Sequence, residues 1–246
     1  IVAAVQFQPA LLQPELNVQI ASQLVFEAAS KGAKLVVLPE LALTGYNIQN
    51  VHEAATVSQT QDGWLTQAMV SLAASLDCYI IFGYVELAEG VYYNAAAAVG
   101  PAGLLGNFRK HNLFGSDNLW AQPSESIQIT ILTPAGRTGV LICRDAMNNY
   151  RQSYKFFNPD FKFYRKGSID TLALLTAWGT QFGYPDSAWI EIAEELDCNV
   201  IVSNRIGAER DMTYKGGSIV IDRNKKLWTF GSSFTEPCVV GGVVLL

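Results

Sequence analysis

What most constrains the fold of this chain is an alternation. Short apolar runs of strand length recur along it, and helical patterns separate several of them. Strand-like runs fall at residues 2–7, 35–38, 78–85, 92–99, 127–132, 139–143, 171–176, 199–202, 217–221 and 239–245. Helical patterns fall at about 15–30, 64–76 and 187–196, the first with Pro14 at its start, where a missing N–H costs nothing. In that helix Leu16, Ile20, Leu24 and Ala28 recur every four positions and predict one stripe facing a sheet. The segments AASLDCYIIFG (73–83) and AEELDCNVIVS (193–203) echo each other: a helix end, Leu-Asp-Cys, then a buried strand. Two related α/β layers would produce this echo, and so would chance, because buried strands draw on a small alphabet.

Composition narrows the class. The chain has 246 residues, enough for one large α/β domain or two small ones, and it shows no linker, low-complexity tract or composition shift. One domain over 1–246 is expected. Half of the residues are hydrophobic and 16% are charged, which predicts a thick core and an apolar subunit interface. A net charge of −5 gives no basic face for nucleic acid. No apolar run is long enough to span a membrane. The start IVAAVQFQP lacks a basic n-region and a cleavage site and reads as a first strand, and the missing initiator Met is expected of a trimmed chain. Cys78, Cys143, Cys198 and Cys238 form no C-x-x-C pair, as expected of reduced thiols in a cytoplasmic protein.

The familiar catalytic signatures are absent: there is no G-x-S-x-G, G-x-G-x-x-G, P-loop or H-E-x-x-H. Two histidines, His52 and His111, exclude a His-rich metal site. Three places remain. In LVVLPELALTGY (35–46), Glu40 follows a strand, where α/β sheets form sites; a solvated or Lys-paired Glu is the plainer alternative. In GNFRKHNLFGSDNLW (106–120), Arg109, Lys110 and His111 follow a strand-like run and suit either a solvated rim or an oxyanion partner. In TGVLICRDAMNNY (138–150), Cys143 ends a strand, as a packed thiol or as a nucleophile.

The three residue types complement one another. A thiol needs a base, and a partly buried Glu40 can serve as one. Attack on an amide carbonyl creates an oxyanion, which Lys110 and the backbone N–H of Arg144 can hold.

With these residues in place the chain resembles the nitrilase superfamily of carbon–nitrogen hydrolases, in its amidase-like branch. VLPEL, FRKHNLFG and GVLIC match the family's Glu, Lys and Cys contexts. LLTAWG (174–179), IVSNRIGAE (201–209) and YKGGSIVIDRNKKL (214–227) follow in the family's order. The resemblance implies a four-layer αββα sandwich assembled as a homodimer or larger homo-oligomer. It implies Cys143 as nucleophile forming a thioester, Glu40 as general base, Lys110 as stabiliser of the tetrahedral intermediates, and no metal or organic cofactor. Tyr46, His111 and Trp178 are candidate pocket residues.

Two departures stand out. Many members carry a second active-site Glu seven or eight residues after the lysine; here those positions hold Asp117 and Asn118, and Asp117 has a shorter arm. After Cys143 the chain reads Arg144-Asp145 and then an aromatic stretch bearing Arg151, Lys155, Lys162, Arg165 and Lys166 against Asp160. Such a segment suits a carboxylate-bearing substrate, with a solvated loop or subunit contact as the plainer alternative.

The leading expectation is therefore hydrolysis of a small linear amide or N-carbamoyl compound. Attack on a nitrile, acyl transfer to an amine, and a scaffold that has lost hydrolysis are the alternatives.

Overall fold

Fully apolar strands need cover on both faces, and here they receive it. The computed structural model describes residues 1–125, 130–146, 164–182, 186–224, 227–228 and 236–242. In chain order its elements are β1 Val2–Gln6, α1 Pro14–Ser30, β2 Leu35–Val37, α2 Val51–Val57, α3 Trp64–Leu76, β3 Tyr79–Ala88, β4 Val91–Gly100, β5 Gly103–Arg109, β6 Ile131–Thr133, β7 Gly136–Ile142, β8 Thr171–Thr176, α4 Asp186–Leu196, β9 Asn199–Asn204, β10 Ile206–Glu209, β11 Met212–Lys215, β12 Ile219–Ile221, β13 Leu227–Trp228 and β14 Cys238–Gly242.

Two six-stranded sheets form, ordered β14-β1-β2-β3-β4-β5 and β13-β12-β9-β8-β7-β6. Alternation along β1 and β2 sends Ala3, Val5 and Val36 towards α1 and α3, and Val2, Ala4, Leu35 and Val37 into the second sheet. On the far side of the second sheet, Trp189, Ile192 and Leu196 of α4 join the core. The layers are thus helix, sheet, sheet, helix, the αββα sandwich expected.

The echo of Leu-Asp-Cys has a structural counterpart. In the first sheet β1, β2 and β3 are mutually parallel, and β4 and β5 follow antiparallel. In the second, β7, β8 and β9 are parallel, and β12 and β13 follow antiparallel. Asp77 and Asp197 both take left-handed conformations, with φ of 47° and 52°, at the ends of α3 and α4. Cys78 N–H and Cys198 N–H each return 3.1 Å to an alanine carbonyl five residues back, Ala73 and Ala193. Both cysteines are buried at the start of equivalent core strands.

Some expectations shift. Of the stripe expected on α1, Ala28 is buried and Ile20 and Leu24 pack partly buried against the core, whereas Leu16 is 40% exposed; Asn17, Ala21 and Val25 complete the buried face. Small residues let the helix lie close to the sheet, and Asn17 is tolerated there because its amide pairs with Ala10 O and N at 2.8 and 2.7 Å. Helix α2 and the hairpin β10–β11 had no strong periodic signal, since each is short. The strand expected at 127–132 appears as β6, its earlier part lying outside the described residues, as does the end of the strand expected at 239–245.

The parallel strands set the site. β2, β7 and β8 all end at the same side of the sandwich, where Glu40, Cys143 and Ala177 follow them, and β5, two antiparallel steps from β3, ends there with Lys110 next.

Candidate active site

Three strand ends bring Glu40, Lys110 and Cys143 together, and a single 3-10 turn, Gly115–Leu119, adds Asp117. Lys110 follows β5, and its side chain is wholly buried. Its Nζ donates to Glu40 Oε1 at 2.6 Å and to Asp117 Oδ2 at 2.6 Å. Two of three ammonium protons are thereby engaged, and the third is left for a ligand. Asn94, also buried, donates from Nδ2 to Glu40 Oε1 at 2.9 Å and to Asp117 Oδ1 at 3.1 Å. The N–H of Ala177 donates to Glu40 Oε2 at 3.0 Å. The buried Cys143 thiol lies beside Glu40, Lys110 and the Ala177 N–H, close enough for all three to act on its proton affinity.

Burial and charge settle the protonation. Burial raises the Glu40 carboxyl above its ordinary range, with Asp117 adding to the rise and Lys110 opposing it. Burial pulls Lys110 down, but Asp117 and Glu40 outweigh it, and the ammonium is held well above its usual value. Burial, then the Glu40 charge, pushes the Cys143 thiol up. The resting site therefore holds a protonated thiol beside a carboxylate whose own proton affinity has been raised, the arrangement a base-assisted nucleophile requires.

The backbone is shaped for this. Cys143 has a φ of +45° and Leu41 one of +47°, both left-handed for non-glycine residues. Gly83 on β3 admits the Glu40 segment: a Cβ there would stand 2.3 Å from Leu41 N and 2.8 Å from Pro39 O. Glu209 grips the next turn, its Oε2 accepting from Tyr46 N at 3.1 Å and Asn47 N at 2.6 Å, and it is held by buried Arg205 at 2.8 Å. Asn204 accepts from Trp178 N at 2.8 Å. The IVSNRIGAE motif thus braces the segments that present Glu40 and Ala177.

A profile of the carbon–nitrogen hydrolase family matches residues 1–151. The chain belongs to that family. A nitrilase from Pyrococcus abyssi is 30% identical over 251 residues, covering 99% of this chain and 89% of its own length. A CN-hydrolase superfamily protein from Xanthomonas campestris, whose crystal structure has an arsenic adduct in the active site, shares the fold at a TM-score of 0.81 and 20% identity, over 97% of this chain and 88% of that one. So does an amidase variant from Nesterenkonia sp. AN1 that carries the acetamide moiety of fluoroacetamide on its active-site cysteine, at a TM-score of 0.79 and 16% identity over 97% and 88%.

Around this carbon–nitrogen hydrolase centre the remaining candidates separate. A cavity of about 110 Å³ opens over Cys143, walled among the described residues by Phe114, Arg144, Ala177, Trp178 and Phe182. Trp178 lines this cavity, in edge contact with Phe182 and Trp189. Tyr46 lies behind the lysine instead, its ring centre 5.9 Å from Lys110 Nζ. His111 is not in the cavity wall: its ring is exposed, with Nδ1 2.6 Å from Ser124 O. Its backbone matters more, since His111 N–H and Asn112 N–H donate to Asp145 Oδ1 at 3.1 and 2.7 Å and tie the lysine loop to the cysteine turn.

Of the basic stretch after the cysteine, Arg151, Lys155 and Lys162 lie outside the described residues. Arg165 and Lys166 precede β8, at its start and so at the end of the sheet opposite Cys143. Sequence reasoning gave no role to Asn94, Asp145, Gly83 or Glu209. Only the last carried a signal, its place in a matched motif.

Proposed function

We propose that this chain is a cofactor-free thiol hydrolase that cleaves the C–N bond of a small linear amide or N-carbamoyl compound. The observation that carries the reading is the buried Glu40 carboxyl, contacted by Lys110 at 2.6 Å, with the buried Cys143 thiol beside it. Glu40 takes the thiol proton as sulfur attacks the carbonyl carbon. The oxyanion gains the third Lys110 proton and the backbone N–H of Arg144. Collapse expels ammonia or an amine protonated through Glu40, leaving a thioester on Cys143. Glu40 then draws a proton from water, and hydrolysis frees the acid and the thiol. Asp117 occupies the role of the second active-site Glu, since its shorter arm still reaches Lys110.

Supporting this reading are the family membership and the amidase among its structural neighbours. A nitrile would enter the same site as a thioimidate, and the name of the Pyrococcus abyssi relative favours that second reading. Residues 1–246 as one hydrolase domain, a cytoplasmic location and a homodimer or larger homo-oligomer belong to the proposal. The exposed Leu16 and Phe26 of α1 are apolar surface such an assembly would cover. No described helix is long and apolar enough to cross a membrane.

The test is ammonia release from a panel of amides, N-carbamoyl compounds and nitriles, with Cys143→Ala as the blank. Release from amides that vanishes in the variant supports the proposal. Release from nitriles alone moves the assignment to the second reading, and no release from any compound overturns both.

A further inference from the structure

The cavity over Cys143 is mostly apolar, and its one cationic side chain among the described residues is Arg144. Phe114, Trp178 and Phe182 supply aromatic walls, with Phe114 and Phe182 in edge contact at 5.4 Å. The Arg144 guanidinium sits 5.1 Å from the Phe114 ring centre, a cation–π contact that holds its plane at the wall and uses none of its five N–H donors.

The two cations near the thiol differ in what they have left to offer. Lys110 is paired with Glu40 and Asp117 at 2.6 Å each, and its one remaining proton is committed to the oxyanion. Arg144 makes no ion pair among the described residues: the neighbouring Asp145 carboxylate turns away from it to the N–H groups of His111 and Asn112. A partly buried guanidinium facing a small apolar cavity is a recognition element for a planar anion, which it binds through two parallel N–H···O bonds.

Charge balance adds a second argument. Glu40, Asp117 and Lys110 together bear one net negative charge when ionised, which repels an anionic substrate. Arg144 is the group in the cavity that offsets it.

We propose that Arg144 is the specificity-determining residue of this site and that the preferred substrate is a short amide whose acyl chain ends in a carboxylate. The inference rests on the hydrolase reading above. It places carboxylate recognition on the residue immediately after the nucleophile. The size of the cavity sets the chain length. An apolar cavity of ~150 Å³ holds a benzene molecule, so about 110 Å³ admits a two- or three-carbon spacer and not a bulky ring.

The experiment compares kcat/KM for succinamate with that for succinamide, its neutral isostere, in the full chain and in Arg144→Met, Arg144→Lys and Arg144→Glu. The wild-type chain is expected to prefer succinamate by at least tenfold, mostly through KM. Arg144→Met lowers that ratio at least tenfold, whatever loss the two substrates share. Arg144→Lys keeps part of the preference, and Arg144→Glu reverses it in favour of β-alaninamide, whose acyl chain ends in an ammonium. A wild-type ratio near one, or a ratio that Arg144→Met leaves in place, overturns the inference while succinamide turnover still upholds the hydrolase reading. Turnover of neither substrate, with Cys143 unacylated on mass analysis, overturns both.

Discussion

The Asp117 carboxylate lies 2.6 Å from Lys110 Nζ, and both side chains are wholly buried. Both Asp117 oxygens accept hydrogen bonds: Oδ1 from Asn94 at 3.1 Å, Oδ2 from Lys110 and from Phe114 N–H, the latter at 3.1 Å. An asparagine there must turn its own donor towards one of those donors. Asp117→Asn is therefore expected to cost about 1–3 kcal/mol, seen as a lower urea midpoint at unchanged m-value, with a fall in kcat. Unchanged stability would show that the ammonium does not need this second carboxylate.

Asn94 adds to the forces that keep Glu40 ionised. Its Nδ2 hydrogen bond to Glu40 holds the carboxyl below the value burial alone would give. Removing it raises the Glu40 pKa, so the base is ionised only at higher pH. For Asn94→Ala the acid limb of kcat/KM is expected to move to higher pH, with KM for a neutral amide little changed. A loss of activity with no movement of the limb would reduce Asn94 to packing.

Gly83 is expected to be intolerant for a geometric reason. In Gly83→Ala the new methyl must displace Leu41 N and Pro39 O, which a Cβ would approach to 2.3 and 2.8 Å. Overpacking of this kind costs about 1–3 kcal/mol. Because the displaced backbone carries Glu40, activity should fall far more than stability: kcat/KM drops by about two orders of magnitude or more. The check is activity and thermal melting on the same preparation.

Asp145 makes stability depend on pH. Burial lifts its carboxyl from 3.8 to about 6. The folded state therefore binds the proton more tightly than the unfolded one, and the stability this gives, present at low pH, is lost as pH rises towards and through about 6. Asp145→Asn keeps an oxygen for the His111 and Asn112 N–H groups and removes the charge. Relative to wild type, the variant should gain about 1 kcal/mol between pH 5 and pH 7, read from denaturant melts at both. An equal difference at the two pH values would show that Asp145 does not titrate there.

Much of the frame was legible because it rests on periodicity and local chemistry. Runs such as Leu35–Val37 and Leu172–Leu175 are apolar throughout, as strands covered on both faces must be. The strand-end placement of Glu40, Lys110 and Cys143 followed from the motifs around them. What was not legible depends on contacts across the chain. The partners of Asn94 at Glu40 and Asp117 lie 54 and 23 residues away, and nothing in the order of residues announces that meeting. Gly83 reads as an ordinary strand glycine until the Glu40 turn is laid over it. His111 looked like a pocket residue because it follows Lys110, yet its ring turns outward to Ser124. On α1 only Leu16 departs from the stripe expected, because the sequence pattern ranks it above Asn17, whereas Asn17 is the residue buried there through its bonds to Ala10.

The central claim is that Glu40 activates Cys143 in a buried site. The most direct test is the rate of iodoacetamide alkylation at each of the four cysteines, followed by peptide mapping across pH. The account predicts that Cys143 reacts at least tenfold faster than Cys78, Cys198 and Cys238, that its rate rises with pH along a limb set by the raised Glu40 carboxyl, and that Glu40→Gln abolishes the advantage. Slow, equal labelling of all four thiols, unaffected by Glu40→Gln, would contradict it.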